Sequence, residues 1–190
     1  LNAALAGMAG NLTTNCGGTG SAGILTIECY AMQDTTAAGT GTGYTTSADY
    51  YINIISNSGA RHDGKWSTSA YRLVYSGDAP YVCLTISESY TRALWLQFST
   101  NIDDNNLFCI QVASATTGIH IGYNILRCES SSITYGNYAI CIDLGTDIQG
   151  TRYVYNNIIP NWNFGSKTGV KGISAENHIS GNSYVYNNTV

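Results

Sequence analysis

The segment RHDGKW, residues 61–66, holds most of the charge in its part of the chain, with Arg61, His62, Asp63 and Lys65 within five positions. A neighbouring histidine and aspartate could carry out general acid–base chemistry. However, adjacent residues on a strand point in opposite directions, and Asp-Gly is a turn signal. The segment is therefore predicted to be a charged turn between two strands rather than a catalytic pair.

The other carboxylates do not form the pair that glycoside hydrolysis requires. Asp103 and Asp104 are adjacent in TNIDDNN, which has the composition of a loop, and Asp143 and Asp147 flank a predicted turn. None of these places two carboxylates on one face of neighbouring strands. The sequence therefore identifies no catalytic residue and favours a protein that is not an enzyme.

The composition excludes several classes of function. Only 11% of the 190 residues are charged, and the net charge is −4, so the clustered Lys and Arg of a nucleic-acid-binding protein are missing. The chain has no run of 18 apolar residues, so the sequence predicts no membrane span. Abundant Ser, Thr, Asn and Gly with 15 Tyr are typical of strands and tight turns, and the expected location is extracellular, at a cell surface or in a virion.

The six cysteines show no CxxC spacing, so a zinc site is not predicted. His120 and His178 have no neighbouring cysteine, and we expect neither a metal nor a cofactor. The even count would permit disulfides, although a chain of this size does not require them.

Two short hydrophobic motifs recur with a period of about 30 residues. The first occurs as ALWLQFS, HIGYNIL, YVYNNII and YVYNNTV at residues 93–99, 120–126, 153–159 and 184–190. The second occurs as VCLTI, FCIQV, ICIDL and KGISA at residues 82–86, 108–112, 140–144 and 171–175. This constant long period predicts a parallel solenoid, in which each coil pairs with the next about 4.8 Å along the axis, rather than a sandwich.

With these motifs, over about residues 80–190 and more loosely 24–75, the chain resembles the right-handed parallel β-helix superfamily, which includes pectate-lyase-like and tailspike-like proteins. RHDGKW followed by YRL (71–73) also resembles environmental β-helix repeat proteins of unknown function. The resemblance implies an all-β, right-handed parallel β-helix. Such motifs indicate architecture rather than activity.

One domain is expected over residues 1–190, with an N-terminal cap at 1–23 and coils at 24–190. The start LNAALAGMAG is predicted to form a short amphipathic helix that covers the first coil. Two further coils are expected earlier in the chain, with Ile27 and Ile54 as neighbours. The second YVYNN copy reaches Val190 within a strand, so the stack is expected to be open there, for a continuing domain or for self-association with another chain.

Alternation of side chains predicts which residues face inward. The apolar positions of VCLTI and its equivalents are expected to face inward, which places Cys83, Cys109 and Cys141 in an outward column. The first interpretation of this column is an apolar filler under a long loop. A disulfide between neighbouring coils and a reactive thiol are the other interpretations.

In the first motif series, an inward column of Leu94, Ile121, Val154 and Val185 is expected. The outward residues then form what we call the aromatic strip, the candidate binding or interface residues Trp95, His120, Tyr153, Tyr155, Tyr184 and Tyr186. A polar column of stacked amides is expected beside it, formed by Gln97, Asn124, Asn157 and Asn188.

Exposed apolar surface of this kind usually marks an interaction site, and Tyr and Trp suit it well. The aromatic strip could bind polysaccharide or pack against another protomer, and it could also be a tyrosine ladder that stabilises its own sheet. The expected function is an extracellular structural or adhesive solenoid, such as a surface filament, adhesin or tailspike-like protein. The alternative is a polysaccharide lyase or glycoside hydrolase of the same superfamily.

Overall fold

The computed structural model describes residues 1, 10–14, 21–40, 43–76, 81–100, 107–113, 115–128, 139–145, 150–160, 170–176 and 180–190. Within these ranges the chain forms strands, turns and one 3-10 turn at Ser58–Ala60, and no α-helix. The strands are β1 Leu25–Cys29, β2 Gln33–Asp34, β3 Ala38–Gly39, β4 Ile52–Ser56, β5 Arg72–Tyr75, β6 Val82–Ile86, β7 Thr91–Leu94, β8 Gln97–Thr100, β9 Leu107–Val112, β10 Ile119–Gly122, β11 Ile125–Cys128, β12 Ala139–Asp143, β13 Thr151–Tyr155, β14 Val170–Ser174 and β15 Asn182–Tyr186.

The strands form three sheets in which every described pair is parallel. The strand orders are β1-β4-β7-β10-β13-β15, β11-β8-β5-β2 and β14-β12-β9-β6-β3. The chain visits the sheets in turn, as β7, β8 and β9 and then β10, β11 and β12. This all-β arrangement is compatible with the predicted solenoid, and it adds a third strand per coil that the sequence motifs did not show.

Pairing between coils follows the predicted period at two points. Ile27 lies opposite Ile54, and Val154 lies opposite Val185. Ile27, Ile54 and Val154 are buried in the core, whereas Val185 in β15 is 47% exposed. Residues about thirty positions apart in the sequence are therefore neighbours in adjacent coils.

The register of β7 differs from the prediction by one residue. Ala93, not Leu94, lies opposite Ile121, and Leu94 lies opposite Gly122. Ala93 is fully buried while Leu94 is partly exposed, so the expected inward position of Leu94 is wrong. The reason is that β7 and β10 are 28 residues apart at this pair, one more than the motif alignment assumed.

The expected outward column of cysteines is also wrong. Cys83, Cys109 and Cys141 are fully buried members of the hydrophobic core. The Cys83 thiol donates to the carbonyl of Ser99 at 3.5 Å, and the Cys109 thiol donates to the carbonyl of Arg127 at 3.6 Å. The cysteines of β6, β9 and β12 thus face the strands β8 and β11 across the interior.

Strict alternation fails in β6 because Cys83 and the adjacent Leu84 are both fully buried. All three cysteines of this column are thiols rather than disulfides. Burial raises the pKa of the Cys83 thiol well above its ordinary value. The column is therefore an apolar filler, and the interpretation as a reactive thiol site is not supported.

The stacked amides at the corner after the six-stranded sheet are confirmed for three residues, which we call the Asn ladder: Asn124, Asn157 and Asn188. In each step the Oδ1 atom of the asparagine in the later coil accepts from the backbone N–H and the side-chain Nδ2 of the asparagine in the preceding coil, at 2.9–3.1 Å. The Nδ2 groups also donate to backbone carbonyls. The ladder thus satisfies backbone groups that the corner leaves without strand partners.

Gln97, the fourth residue of the predicted amide column, occupies a different position. It lies opposite Ile125, one residue past the ladder. Its buried amide accepts from the Ser67 N–H at 2.7 Å and donates to the carbonyls of Ser67 and Tyr71. Gln97 therefore fixes the segment that connects β4 to β5.

Several sequence predictions lie outside the described residues. They are the N-terminal helix, which falls mainly on residues 2–9, and the side chains of Cys16, Asp103, Asp104, Asp147 and His178. Among the described residues, no helix has the length and apolar character needed to cross a membrane.

Replacing Asn157 by alanine should destabilise the fold strongly. The side chain is almost fully buried and makes four hydrogen bonds, so its loss leaves buried backbone groups of β10 and the corner without partners. We expect the free energy of unfolding to fall by about 3 kcal/mol, measured by urea denaturation. Asn182→Ala, at an exposed position of β15, is the control and should change it little. A loss in Asn157→Ala as small as in the control would contradict the role of the ladder.

Candidate functional site

Two columns of outward side chains run along the six-stranded sheet. The first column consists of Thr26, Asn53, Arg92, His120, Tyr153 and Tyr184. The second column consists of Glu28, Ile55, Leu94, Gly122, Tyr155 and Tyr186. Five of the six residues of the aromatic strip lie in these columns, and Trp95 lies beside them at the corner that follows β7.

The rings of each column stack on one another along the solenoid. In the first column, the centroids of His120 and Tyr153 are 4.6 Å apart, and those of Tyr153 and Tyr184 are 5.2 Å apart with nearly parallel planes. In the second, Tyr155 and Tyr186 stack at 5.5 Å. These contacts are those of a tyrosine ladder. The ring faces between coils are therefore covered, and a sugar could not stack on them.

Gly122 makes room for the Tyr155 ring. A Cβ atom at Gly122 would lie 2.5 Å from Cε2 of Tyr155, so only glycine fits under this ring. Tyr155 also contacts the rings of His120 and Tyr123 edge-on, at 6.2 Å and 5.5 Å. The ring thus connects the first column to the corner.

The first cleft opens at the N-terminal ends of β7, β10 and β13 and has a volume of about 280 Å³. It is lined by Ala48, Tyr51, Tyr90, Arg92, Thr117, Gly118, His120, Thr151 and Tyr153. The Arg92 guanidinium lies 3.5 Å from the centre of the Tyr51 ring, a cation–π contact that fixes its direction. Tyr90 lies over Gly118, where a side chain would clash with its ring.

The cleft combines a fixed cation with a neutral imidazole. The pKa of His120 is lowered first by burial and second by the charge of Arg92. His120 therefore remains uncharged near neutral pH, with hydrogen-bonding nitrogens but no charge. No described residue that lines the cleft is a carboxylate.

The second cleft lies at the other ends of the same strands and has a volume of about 400 Å³. It is lined by His62, Asp63, Gly64, Trp95, Tyr123, Asn156 and Ile158. Trp95 and Tyr123 stack in parallel, 4.6 Å apart, and the Arg61 guanidinium lies 5.4 Å from the centre of the Trp95 ring. Trp95 and the segment RHDGKW are far apart in the sequence, and both line the second cleft.

The segment RHDGKW is a bent connection between β4 and β5, as predicted, and His62 and Asp63 are not an acid–base pair. His62 is 5% exposed, with Nε2 2.8 Å from the carbonyl of Tyr123, while Nδ1 accepts from the Gly64 N–H at 3.2 Å. These two contacts define a neutral ring with the proton on Nε2. Asp63 is exposed and accepts from the Lys65 N–H within the turn. His62 therefore attaches this segment to the corner of the solenoid.

Several residues of the two clefts were missed by the sequence interpretation: Tyr51, Tyr90, Arg92 and Tyr123. Tyr123 follows Gly122 at the position equivalent to Trp95, and the one-residue register error hid this equivalence. Arg92 lies opposite His120, a pairing that the one-residue register error also hid. Among the described residues, no group of three or more His, Cys, Asp or Glu side chains could hold a metal ion.

Stability should decrease at acid pH because of His62. Burial lowers its pKa in the folded protein below the ordinary value of 6.5, so the unfolded chain binds the proton more tightly. The stabilisation is complete above about pH 6.5 and is lost as the pH falls below that value. We expect the urea midpoint to fall between pH 8 and pH 5, and His62→Gln to reduce that fall.

His120→Gln is the companion variant, because the pKa of His120 is also lowered and contributes in the same direction. The same urea titration of His120→Gln separates the contribution of His120 to the pH dependence of stability from that of His62. If His62→Gln shows the same dependence on pH as the unmodified protein, the neutral, buried state of His62 is contradicted.

Comparison of the chain with models of protein families, with curated proteins and with solved structures finds no match.

Proposed function

We propose that this chain is an extracellular structural or adhesive module, a right-handed parallel β-helix that binds glycans in the first cleft. The observation that carries the proposal is that Arg92 and His120 line one concave surface on the outer face of the six-stranded sheet. Three tyrosines line the same surface: Tyr51, Tyr90 and Tyr153. Binding of a sugar requires hydrogen-bonding groups for its hydroxyls and apolar surface for its C–H groups, and this cleft supplies both.

The position of the cleft refines the role of the aromatic strip. Tyr153 and Tyr155 have their faces covered within the columns, so the strip itself offers few free ring faces. Arg92, by contrast, lies at the end of the aromatic part of the first column, between Asn53 and His120, and its guanidinium can donate several hydrogen bonds. Recognition is therefore proposed to rest on hydrogen bonds from Arg92 and its neighbours, with the ladder as their rigid support.

Binding is proposed here rather than polysaccharide cleavage. Hydrolysis of a glycosidic bond by the common mechanisms requires two carboxylic acids beside the bond. The described residues of the first cleft include none. No observation favours the enzymatic alternative over binding.

Arg92→Gln should weaken glycan binding by about tenfold or more, because hydrogen bonds to a charged group contribute about 1.5–3 kcal/mol. The measurement is binding of the purified chain to an array of immobilised glycans, followed by titration of the strongest ligand. Tyr30→Ser is the control, since Tyr30 is an exposed tyrosine that does not line the cleft. Absence of glycan binding, or equal binding by Arg92→Gln, would contradict the proposal.

The same proposal includes self-association, or contact with a continuing domain, at the edge strand β15. Tyr184 and Tyr186 point outward from this strand and are 48% and 47% exposed. Exposed apolar side chains at a strand edge are suited to pairing with another chain.

Self-association can be tested by light scattering with the double variant Tyr155→Ser, Tyr186→Ser. We expect the unmodified chain to form assemblies and the double variant to have the mass of a monomer, because the stacked pair of rings at the interface is removed. Tyr30→Ser, at a tyrosine that is 59% exposed on another part of the surface, should assemble normally. Unchanged assembly of the double variant would reject this part of the proposal.

A further inference from the structure

The corner after the six-stranded sheet places four equivalent residues in the left-handed backbone conformation. They are Trp95, Tyr123, Asn156 and Asn187, with φ between 54° and 60°. Asparagine tolerates this conformation, whereas it is unfavourable for a bulky side chain. Trp95 and Tyr123 thus occupy positions where the next two coils use the residue better suited to the backbone.

The two aromatic residues form a stack that stops at the third coil. One face of Trp95 is covered by Tyr123, with parallel planes 4.6 Å apart, and Arg61 lies over the same ring system. Tyr123 has Trp95 on one side and the coil of Asn156 on the other. On that side the Tyr155 ring contacts Tyr123 edge-on, with centroids 5.5 Å apart. The second cleft is lined by Trp95, Tyr123 and Asn156, and none of its other lining residues adds a stacked ring.

The walls of the second cleft are held in place before any ligand binds. His62 binds the backbone of Tyr123, and Gly64 binds His62. Farther along the same segment, the Ser67 N–H donates to the buried Gln97 amide. The Arg127 guanidinium lies 3.6 Å from the centre of the Trp66 ring. Because the segment is attached at several points, the cleft is preorganised, which reduces the entropy lost on binding.

The lining indicates the chemistry of the ligand. A volume of about 400 Å³ and a largely apolar, aromatic lining are typical of small-molecule sites. A sugar would bury several hydroxyl groups where Asp63 and Asn156 are the main polar side chains, and unsatisfied hydroxyls are costly. An aromatic ring with a single hydrogen-bond donor matches this lining better.

We propose that the second cleft binds a small phenol- or indole-type molecule, whose ring packs against Trp95 and Tyr123 and whose donor reaches Asp63 or Asn156. The site is separate from the first cleft and shares none of its lining residues. The proposal therefore does not depend on glycan binding.

Indole is the probe, titrated into the full chain by calorimetry and observed by NMR through contacts of its protons with the Tyr123 ring. Tyr123→Asn should weaken binding by about tenfold, because aromatic stacking contributes up to about 1.5 kcal/mol. Asn156→Tyr should abolish binding, because its ring would occupy the cleft. Both variants use a residue that the neighbouring coils already carry at the equivalent position, so the corner should still fold.

Asn187→Tyr is the matched control: it makes the same change one coil farther, at a residue that does not line the cleft, and it should bind indole normally. Thermal unfolding of each variant checks that the fold is kept. Saturable binding lost in Asn156→Tyr and kept in Asn187→Tyr supports the proposal. No saturable binding of indole, or equal loss of binding in Asn156→Tyr and Asn187→Tyr, would overturn it.

Discussion

Vertical pairing of successive coils is the constraint on which the rest of the structure depends. Parallel strands in neighbouring coils lie about 4.8 Å apart, so residues at equivalent positions must stack directly over one another. In the core this produces a continuous column of Ile54, Ala93, Ile121 and Val154, all fully buried. At the corner it brings Asn124, Asn157 and Asn188 within hydrogen-bond distance of one another. The hydrogen bonds between their side-chain amides in turn stabilise the pairing of the coils. Sheet and corner thus stabilise the same spacing.

The same spacing decides where the outer surface can bind a ligand. Aromatic rings on adjacent coils are spaced close to their preferred stacking distance, so Tyr153, Tyr184, Tyr155 and Tyr186 cover each other's faces. A uniform aromatic column is therefore a stabilising feature with little free surface. Concave sites arise where a column changes residue type. At the first cleft, the aromatic part of the first column ends at Arg92, which is followed by Asn53. At the second cleft, the corner stack of Trp95 and Tyr123 ends at Asn156.

Sequence periodicity predicted the parts of the fold in which every coil uses the same residue type. The all-β class, the parallel coils and the Asn ladder follow from repeated apolar and amide positions, which retain their meaning when the loops vary in length. The register of β7 could not be predicted, because Ala93 and Leu94 are both apolar and the connection to β10 absorbs the difference. The inward position of the cysteines was missed for a related reason: β6 faces β8 across the interior, and the sequence motif does not separate β8 from β7. Arg92 and Tyr123 were missed because a site built from unlike residues on successive coils has no period to detect.

The interior also determines how rigid the first cleft is. Arg152 of β13 is fully buried and lies opposite Ile119 of β10. Its guanidinium donates to the carbonyls of Ala113 and Thr116, at 2.9 Å and 3.3 Å. These carbonyls belong to the turn that leads directly into Thr117 and Gly118 at the rim of the cleft. A buried cation is stable only when such acceptors surround it, so the turn and the arginine fix each other. The rim is therefore positioned from the interior between the sheets, while the outward residues that line the cleft differ from coil to coil.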